Sequence, residues 1–179
     1  TKALGRLAHR HRHHLEIALV GQPMSGKNSL FATAVEGGSY TADHTDEIRR
    51  GELDFQDYRL HITNLPDTYS LTSRTADTLT VRNHLVNDAP DVVICVVDAT
   101  DLERSMQIAA QLLDMNLRVI VALNKFDAMQ ASGARLDYQM LSRLIGTPVV
   151  PTVSLNAEGL EHLLHLAINI YEGADFLDD

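Results

Sequence analysis

The chain has few cysteines, few aromatic residues and no long apolar run. Its 179 residues include one cysteine, no tryptophan and only 5% aromatic residues, so disulfide bonds play no part in the fold and a reducing compartment fits. The longest apolar runs, 91–97 and 118–123, have the length of strands and fall far short of the roughly 20 residues of a membrane-spanning helix. These absences exclude a disulfide scaffold and leave a globular domain.

Positive charge is also scarce. The sequence has 15 Lys and Arg residues against 24 Asp and Glu residues, a net charge of −9. Because nucleic-acid backbones attract basic patches, we expect no nucleic-acid partner. A single nucleotide is not excluded, because backbone N–H groups can hold its phosphates. The basic, histidine-rich residues 1–14 are interpreted as an arm, with metal binding as the alternative, and residues 173–179 as an acidic tail.

Apolar runs of strand length alternate with amphipathic stretches of helix length. We expect strands over 15–20, 47–54, 58–63, 91–97, 118–123 and 147–153, and helices over 28–35, 73–88, 102–115, 136–145 and 159–171. This alternation is typical of βα units around a parallel sheet. It predicts one α/β domain over 15–172, with a six-stranded, mostly parallel sheet, helices on both faces and 47–54 as an antiparallel edge strand. Residues 36–46 are expected to form a mobile polar loop.

A candidate phosphate-binding loop lies between the first predicted strand and helix. Residues 21–27 read GQPMSGK, the pattern of such a loop in the position that it requires. Gly21 and Gly26 let the backbone wrap around a phosphate, the helix N-terminus adds its dipole, and Lys27 reaches the terminal phosphates. The pattern alone is weak, because at a glycine frequency near 7% roughly one random chain in twenty of this length contains it.

A second motif, Asn124-Lys125-Phe126-Asp127, ends another predicted strand. A carboxylate here can accept hydrogen bonds from both N1–H and N2–H₂ of guanine, whereas adenine would leave it unpaired. Discrimination by unpaired buried polar groups can reach roughly 10⁴-fold. Both motifs lie at carboxyl ends of strands, where open α/β sheets bind ligands. Together they predict a site for GDP and GTP.

Four segments carry a more specific resemblance. They are LEIALVGQPMSGKNSLF from residue 15, NLPDTYSL from 64, VVDATDLERSM from 96 and PVVPTVSLNAEG from 148. They resemble the G domain of the FeoB ferrous iron transporter family, from about residue 15 to 171. The resemblance implies a Ras-like, three-layer P-loop fold on the cytoplasmic side of the bacterial inner membrane. There, GTP binding and hydrolysis support iron(II) uptake by a membrane domain of the same transporter. The family's helical subdomain and membrane domain are not in the 179 residues.

The resemblance also assigns roles to matching positions. The phosphates would be held by Gly21, Met24, Ser25, Gly26, Lys27, Asn28 and Ser29. The guanine would be held by Asn124, Lys125, Asp127, Ser154 and Leu155, with the Lys125 side chain along its ring. Thr45 matches the first-switch threonine and would serve hydrolysis together with Lys27, although a plain loop hydroxyl is the alternative. Mg²⁺ would lie at positions 28, 45 and 64, now Asn28, Thr45 and Asn64.

Three residues depart from the family pattern. Asn28 replaces the Ser or Thr whose hydroxyl binds Mg²⁺, and Ser29 cannot substitute because it lies about 100° further around the helix. Asn64 and Asp67 replace the aspartate and glycine of an Asp-x-x-Gly box, and Asp67 adds a carboxylate near the γ-phosphate. A full charge about 4 Å away is worth up to ~4 kcal/mol at an effective dielectric of 20. We therefore expect weak Mg²⁺ binding, GDP bound at least as tightly as GTP, and slow hydrolysis.

The sequence allows alternatives to the interpretation as a weak GTPase-type hydrolase. A non-catalytic G domain, in which nucleotide only supports an interaction module, is favoured by the same three departures. A ribosome- or tRNA-associated GTPase is disfavoured by the net charge of −9. A P-loop kinase would leave the motif at 124–127 unexplained. We also expect residues 37–46 of the polar loop 36–46 to serve as a hinge for exchanging elements between the two chains of a homodimer.

Overall fold

The computed structural model describes residues 13–35, 39–42, 48–153 and 159–173, with the backbone alone at 39–42. The strands are β1 (His13–Gly21), β2 (Ser39–Ala42), β3 (Arg49–Phe55), β4 (Tyr58–Asn64), β5 (Val92–Asp98), β6 (Val119–Asn124) and β7 (Val149–Pro151). The helices are α1 (Lys27–Ala34), α2 (Ala76–Asn83), α3 (Leu102–Asp114), α4 (Phe126–Ala131), α5 (Tyr138–Ile145) and α6 (Leu160–Tyr171). A π-helical turn, His84–Asp88, extends α2.

The strands form one sheet in the order β2-β3-β4-β1-β5-β6-β7. Neighbours from β4 to β7 pair in parallel, whereas β3 pairs antiparallel with both β2 and β4. The predicted mostly parallel sheet with helices is confirmed, and β3 and β4 form a hairpin that turns at Gln56–Asp57. A seventh strand, Ser39–Ala42, lies within the segment predicted as a loop and takes the edge position expected for β3. Its four polar and small residues pair through backbone hydrogen bonds. Such pairing leaves no hydrophobic periodicity, so the sequence did not indicate a strand.

The central strands are apolar on both sides because helices cover both faces of the sheet. On one face, α1 and α6 pack through residues such as Phe31 and Leu164. On the other, α2 and α3 pack through residues such as Val81 and Ile108. Cys95 in β5 is fully buried, and burial raises the pKa of its thiol to about 12.

This topology brings the segments that follow four strands to one edge of the sheet. Strands β1, β4, β5 and β6 run parallel, so the residues that follow each of them emerge at the same edge, where ligands of open α/β sheets bind. None of the helices in the described part of the chain has the length and hydrophobicity that crossing a bilayer requires.

Candidate functional site

The loop between β1 and α1 has the backbone shape of an anion-binding nest. Met24 and Gly26 both lie in the left-handed region, with φ values of 64° and 88°, which turns neighbouring N–H groups toward one concave side. A side chain at Gly21 would place its Cβ 2.9 Å from the Val96 carbonyl oxygen and from Ser25 Oγ, so only glycine fits there. No described side chain caps α1, which leaves its first N–H groups available to an anion.

Ser25 connects this loop to the second motif. Its carbonyl oxygen accepts a hydrogen bond from Asn124 Nδ2 at 2.9 Å. Its own Oγ is buried and has no hydrogen-bond partner among the described residues. A buried hydroxyl without a hydrogen-bond partner costs folding free energy. The Ser25 hydroxyl is therefore available to form a hydrogen bond with a bound ligand.

The predicted phosphate-binding lysine lies against the segment after β4. Lys27 is 3% exposed, and its Nζ donates hydrogen bonds to Asn64 Oδ1 and to the Leu65 carbonyl oxygen, both at 2.6 Å. The same Nζ lies 3.1 Å from Asp67 Oδ1. Burial lowers the pKa of Lys27, an effect that the Asp67 carboxylate opposes. Lys27 is therefore a buried cation held by the segment that replaces the Asp-x-x-Gly box.

The two asparagines predicted at the metal position bind each other. Asn64 Nδ2 donates to Asn28 Oδ1 at 2.9 Å, and Lys27 Nζ lies 3.4 Å from the same oxygen. Both amide oxygens are thus occupied by N–H donors, and the pair offers neither the hydroxyl nor the carboxylate that a Mg²⁺ site uses. Asn28 and Asn64 therefore do not fit a magnesium site. The third predicted position, Thr45, lies outside the described residues.

Buried polar groups hold the motif that follows β6. Asn124 is 1% exposed, and its Oδ1 accepts a hydrogen bond from Thr152 Oγ1 at 3.1 Å. Lys125 adopts a left-handed backbone with φ 57°, and its Nζ contacts the Met24 carbonyl oxygen and Asp98 Oδ2. The side chains of Asn124 and Lys125 therefore join the ends of β5 and β6 to the loop after β1.

Asp127 lies in the first turn of α4 and is exposed. Its carboxylate makes no hydrogen bond or ion pair with the residues that the structure describes, so both oxygens can accept donors from a ligand. The helix α4 was not predicted from the sequence, and the left-handed backbone of Lys125 marks its start. Ser29 is half-buried in α1. Ser154 and Leu155 lie outside the described residues, so the structure does not relate them to Asp127.

Asp98 was given no role from the sequence, yet it supports Lys125. Its Oδ1 accepts hydrogen bonds from Thr100 Oγ1 at 2.6 Å and from the Thr100 N–H at 2.8 Å, and its Oδ2 lies 3.2 Å from Lys125 Nζ. Burial raises the pKa of Asp98, but the hydrogen bonds from Thr100 and Lys125 outweigh it and hold that pKa below its usual value. The signal in the sequence is the spacing Asp-x-Thr, an oxygen two residues before an N–H donor.

The chain matches the family described as ferrous iron transport protein B (FeoB_N) over residues 15–167. It is 38% identical over 165 residues to the Fe(2+) transport protein A/Fe(2+) transporter FeoB fusion protein of Porphyromonas gingivalis, covering 90% of this chain and 20% of that protein. It is 34% identical over 187 residues to the Fe(2+) transporter FeoB of Salmonella typhimurium, covering 92% of this chain and 24% of that protein. The chain thus spans a fifth to a quarter of these relatives.

Solved structures agree with this match. The FeoB G-domain from Methanococcus jannaschii has a TM-score of 0.78 and 31% identity, covering 89% of this chain and 97% of that one. The cytosolic domain of the T. maritima FeoB iron transporter in GMPPNP form has a TM-score of 0.81 and 31% identity, covering 89% of this chain and 64% of that one. Its GDP form II matches with the same TM-score and coverage at 32% identity. The chain therefore belongs to the ferrous iron transport protein B family, with the fold of the N-terminal G domain of FeoB.

Proposed function

We propose that residues 15–172 form the guanine-nucleotide-binding domain of a ferrous iron transporter, on the cytoplasmic side of the membrane. In this proposal GDP and GTP bind at the sheet edge, and the bound nucleotide regulates iron(II) uptake by a membrane domain of the same transporter. Support comes from relatives that are named Fe(2+) transporters and from a homologous cytosolic domain solved in GMPPNP and GDP forms.

The observation that carries the proposal is the hydrogen bond from Asn124 Nδ2 to the Ser25 carbonyl oxygen, 2.9 Å long. It fixes the guanine motif directly against the phosphate loop, so one nucleotide can contact both. The phosphates would lie on the N–H groups of residues 21–29. The base would lie where the Asp127 carboxylate can accept N1–H and N2–H₂, a pair of donors that adenine lacks.

Lys125 would serve as one wall for the base. Its side chain runs from α4 toward the Met24 carbonyl oxygen and Asp98, so its aliphatic stem offers an apolar surface to a flat ring. Asp98 acts as a positioning residue because it anchors the ammonium group. Ser154 and Leu155 complete the base side in this proposal, and Thr45 belongs to the phosphate side.

Hydrolysis of GTP is expected to be slow. Phosphoryl transfer depends on a metal ion that neutralises charge between the phosphates. Asn28 and Asn64 bind each other instead of offering a hydroxyl and a carboxylate. We infer that Mg²⁺ contributes little to nucleotide binding and that GDP and GTP bind mainly through the loop, Lys27 and the guanine motif.

The guanine assignment is tested by calorimetric titration of the 179-residue chain with GDP and ADP. Asp127→Ala should lose GDP affinity by about a hundredfold or more, because two donors of a desolvated base lose their acceptor. Asp114→Ala, which removes another exposed helical carboxylate, is the matched control and should bind GDP normally. Unchanged GDP affinity in a folded Asp127→Ala protein would contradict the assignment.

A non-catalytic interaction module is the second candidate, favoured by the same asparagine pair. In that case nucleotide binds but is not turned over. A single-turnover assay separates the two, since a slow GTPase converts bound GTP to GDP at a measurable rate whereas a non-catalytic domain releases it unchanged.

A further inference from the structure

The ammonium group of Lys27 has its hydrogen bonds filled by the chain itself. Its Nζ contacts Asn64 Oδ1 and the Leu65 carbonyl oxygen at 2.6 Å each, and Asp67 Oδ1 at 3.1 Å. An ammonium group has three N–H donors, so these three close oxygens account for all of them, with Asn28 Oδ1 further away at 3.4 Å. A phosphate oxygen can bind Lys27 only by displacing one of the present partners.

Asp67 differs from the other two partners in charge and in exposure. Asn64 and Leu65 are 2% and 1% exposed and contribute neutral oxygens from the buried side. The Asp67 side chain is 38% exposed, compared with 2% for that of Lys27. Asp67 therefore supplies the charged oxygen on the solvent side of the lysine, the side from which a phosphate would reach it in the proposed function.

The backbone holds this carboxylate in place. The Leu65 N–H donates to the Leu19 carbonyl oxygen at 3.2 Å, and the Thr68 N–H donates to the Gly21 carbonyl oxygen at 3.1 Å. The segment is thus fixed to β1 and to the first residue of the phosphate loop, on both sides of Asp67. The buried Thr68 hydroxyl is also fixed, 2.7 Å from Thr78 Oγ1.

A groove gives the carboxylate room to move away. It has a volume of about 400 Å³ and is lined by Asp67 together with Pro23, Tyr69 and Asp77, among others. Because Pro23 belongs to the phosphate loop, the groove opens directly beside it. A displaced Asp67 side chain can therefore enter water, although it stays near any added phosphate.

From this arrangement we infer that Asp67 is a specificity-determining residue, a built-in anion that holds the Lys27 ammonium where a terminal phosphate would bind. The inference rests on the proposed function and names the residue that sets the choice between nucleotides. GTP must displace Asp67 and then place its γ-phosphate beside the displaced carboxylate, so like charges repel. GDP lacks that phosphate, so the Asp67 carboxylate lowers its affinity less. The domain thus selects GDP against GTP through Asp67.

The test compares Asp67→Asn with Asp77→Asn. The first substitution keeps the side chain's shape and removes its charge from Lys27, whereas the second removes an exposed charge from the same groove without contact to Lys27. Affinities for GDP and for GMPPNP, which resists hydrolysis, are measured by calorimetry. We expect Asp67→Asn to bind GMPPNP about tenfold more tightly or better and GDP about threefold more tightly at most, and Asp77→Asn to resemble the unmodified chain.

Inorganic tripolyphosphate gives a second readout that needs no base recognition. Asp67→Asn should bind it more tightly than the unmodified chain does. If GDP binds but neither the GMPPNP-to-GDP ratio nor tripolyphosphate binding changes in Asp67→Asn, the inference is wrong and the proposed function stands. An equal gain in GMPPNP affinity in Asp77→Asn also overturns the inference, because general charge repulsion would then be enough to explain the effect of Asp67. Tighter tripolyphosphate binding without any GDP binding would support the inference and refute the guanine assignment.

Discussion

Among single residues, Tyr58 has the clearest link between a contact and a measurable property. Its hydroxyl donates to Glu172 Oε1 at 2.7 Å, and its ring lies edge-on to Tyr171. The hydrogen bond to Glu172, aided by burial, raises the pKa of Tyr58 to about 12. The contact joins β4 to the end of α6, so Tyr58 reports on whether the last helix is packed.

Stability at high pH should depend on this pair. The folded chain binds the Tyr58 proton more tightly than the unfolded chain, whose tyrosines have a pKa of about 10. The unfolding free energy therefore falls as pH rises from about 10 to about 12. Denaturant titrations across this range should show a smaller fall in Glu172→Gln than in the unmodified chain, whereas Glu161→Gln, on the exposed side of α6, should behave normally. Identical slopes in all three proteins would contradict the assigned contact.

At the scale of elements, α1 and the segment after β4 form one connected unit at the proposed phosphate site. Asn28 on α1 bonds Asn64 at the end of β4, and Lys27 bonds Asn64 and Asp67. The departures seen in the sequence are thus one connected network. A single change at Asn28 or Asn64 leaves the other amide without its partner, which costs free energy.

Restoring the family residues together should therefore restore turnover. The triple variant Asn28→Thr, Asn64→Asp and Asp67→Gly supplies a hydroxyl, a carboxylate and a free backbone amide at one site. We expect GTP hydrolysis about tenfold faster or better, equivalent to about 1.4 kcal/mol of barrier, with single changes giving little. The measurement is single-turnover hydrolysis with Mg²⁺, and the three single variants are the controls. A folded triple variant that binds GTP but hydrolyses it no faster would show that the defect lies elsewhere.

Some elements could be predicted from the sequence for clear physical reasons. Strands β5 and β6 are buried on both faces and appear as continuous apolar runs, and both nucleotide motifs carry fixed residue spacings. β2 and α4 were missed because neither has a hydrophobic period; β2 is held by backbone pairing and α4 spans six residues. The contacts of Asp67 and Asp98 were also beyond the sequence, because each depends on which loops meet at the sheet edge.

On the scale of the whole molecule, the sheet edge explains how an acidic chain can bind a polyanion. The net charge is −9, yet the candidate phosphate site consists of backbone N–H groups and one buried lysine, which act at short range. The homodimer stays a prediction, because its expected hinge, 37–46, includes residues 37–38 and 43–46, which lie outside the described residues. The same holds for the roles of Thr45, Ser154 and Leu155.

The proposed site binds guanine nucleotide with little help from a metal ion. Its most direct test is calorimetric titration of the unmodified chain with GDP and with ADP, each in Mg²⁺ and in EDTA. GDP should bind with about micromolar affinity, some −8 kcal/mol, and this affinity should change by about threefold or less when Mg²⁺ is removed. ADP binding should be negligible in both buffers. Equal affinities for ADP and GDP, or GDP binding that disappears in EDTA, would contradict it.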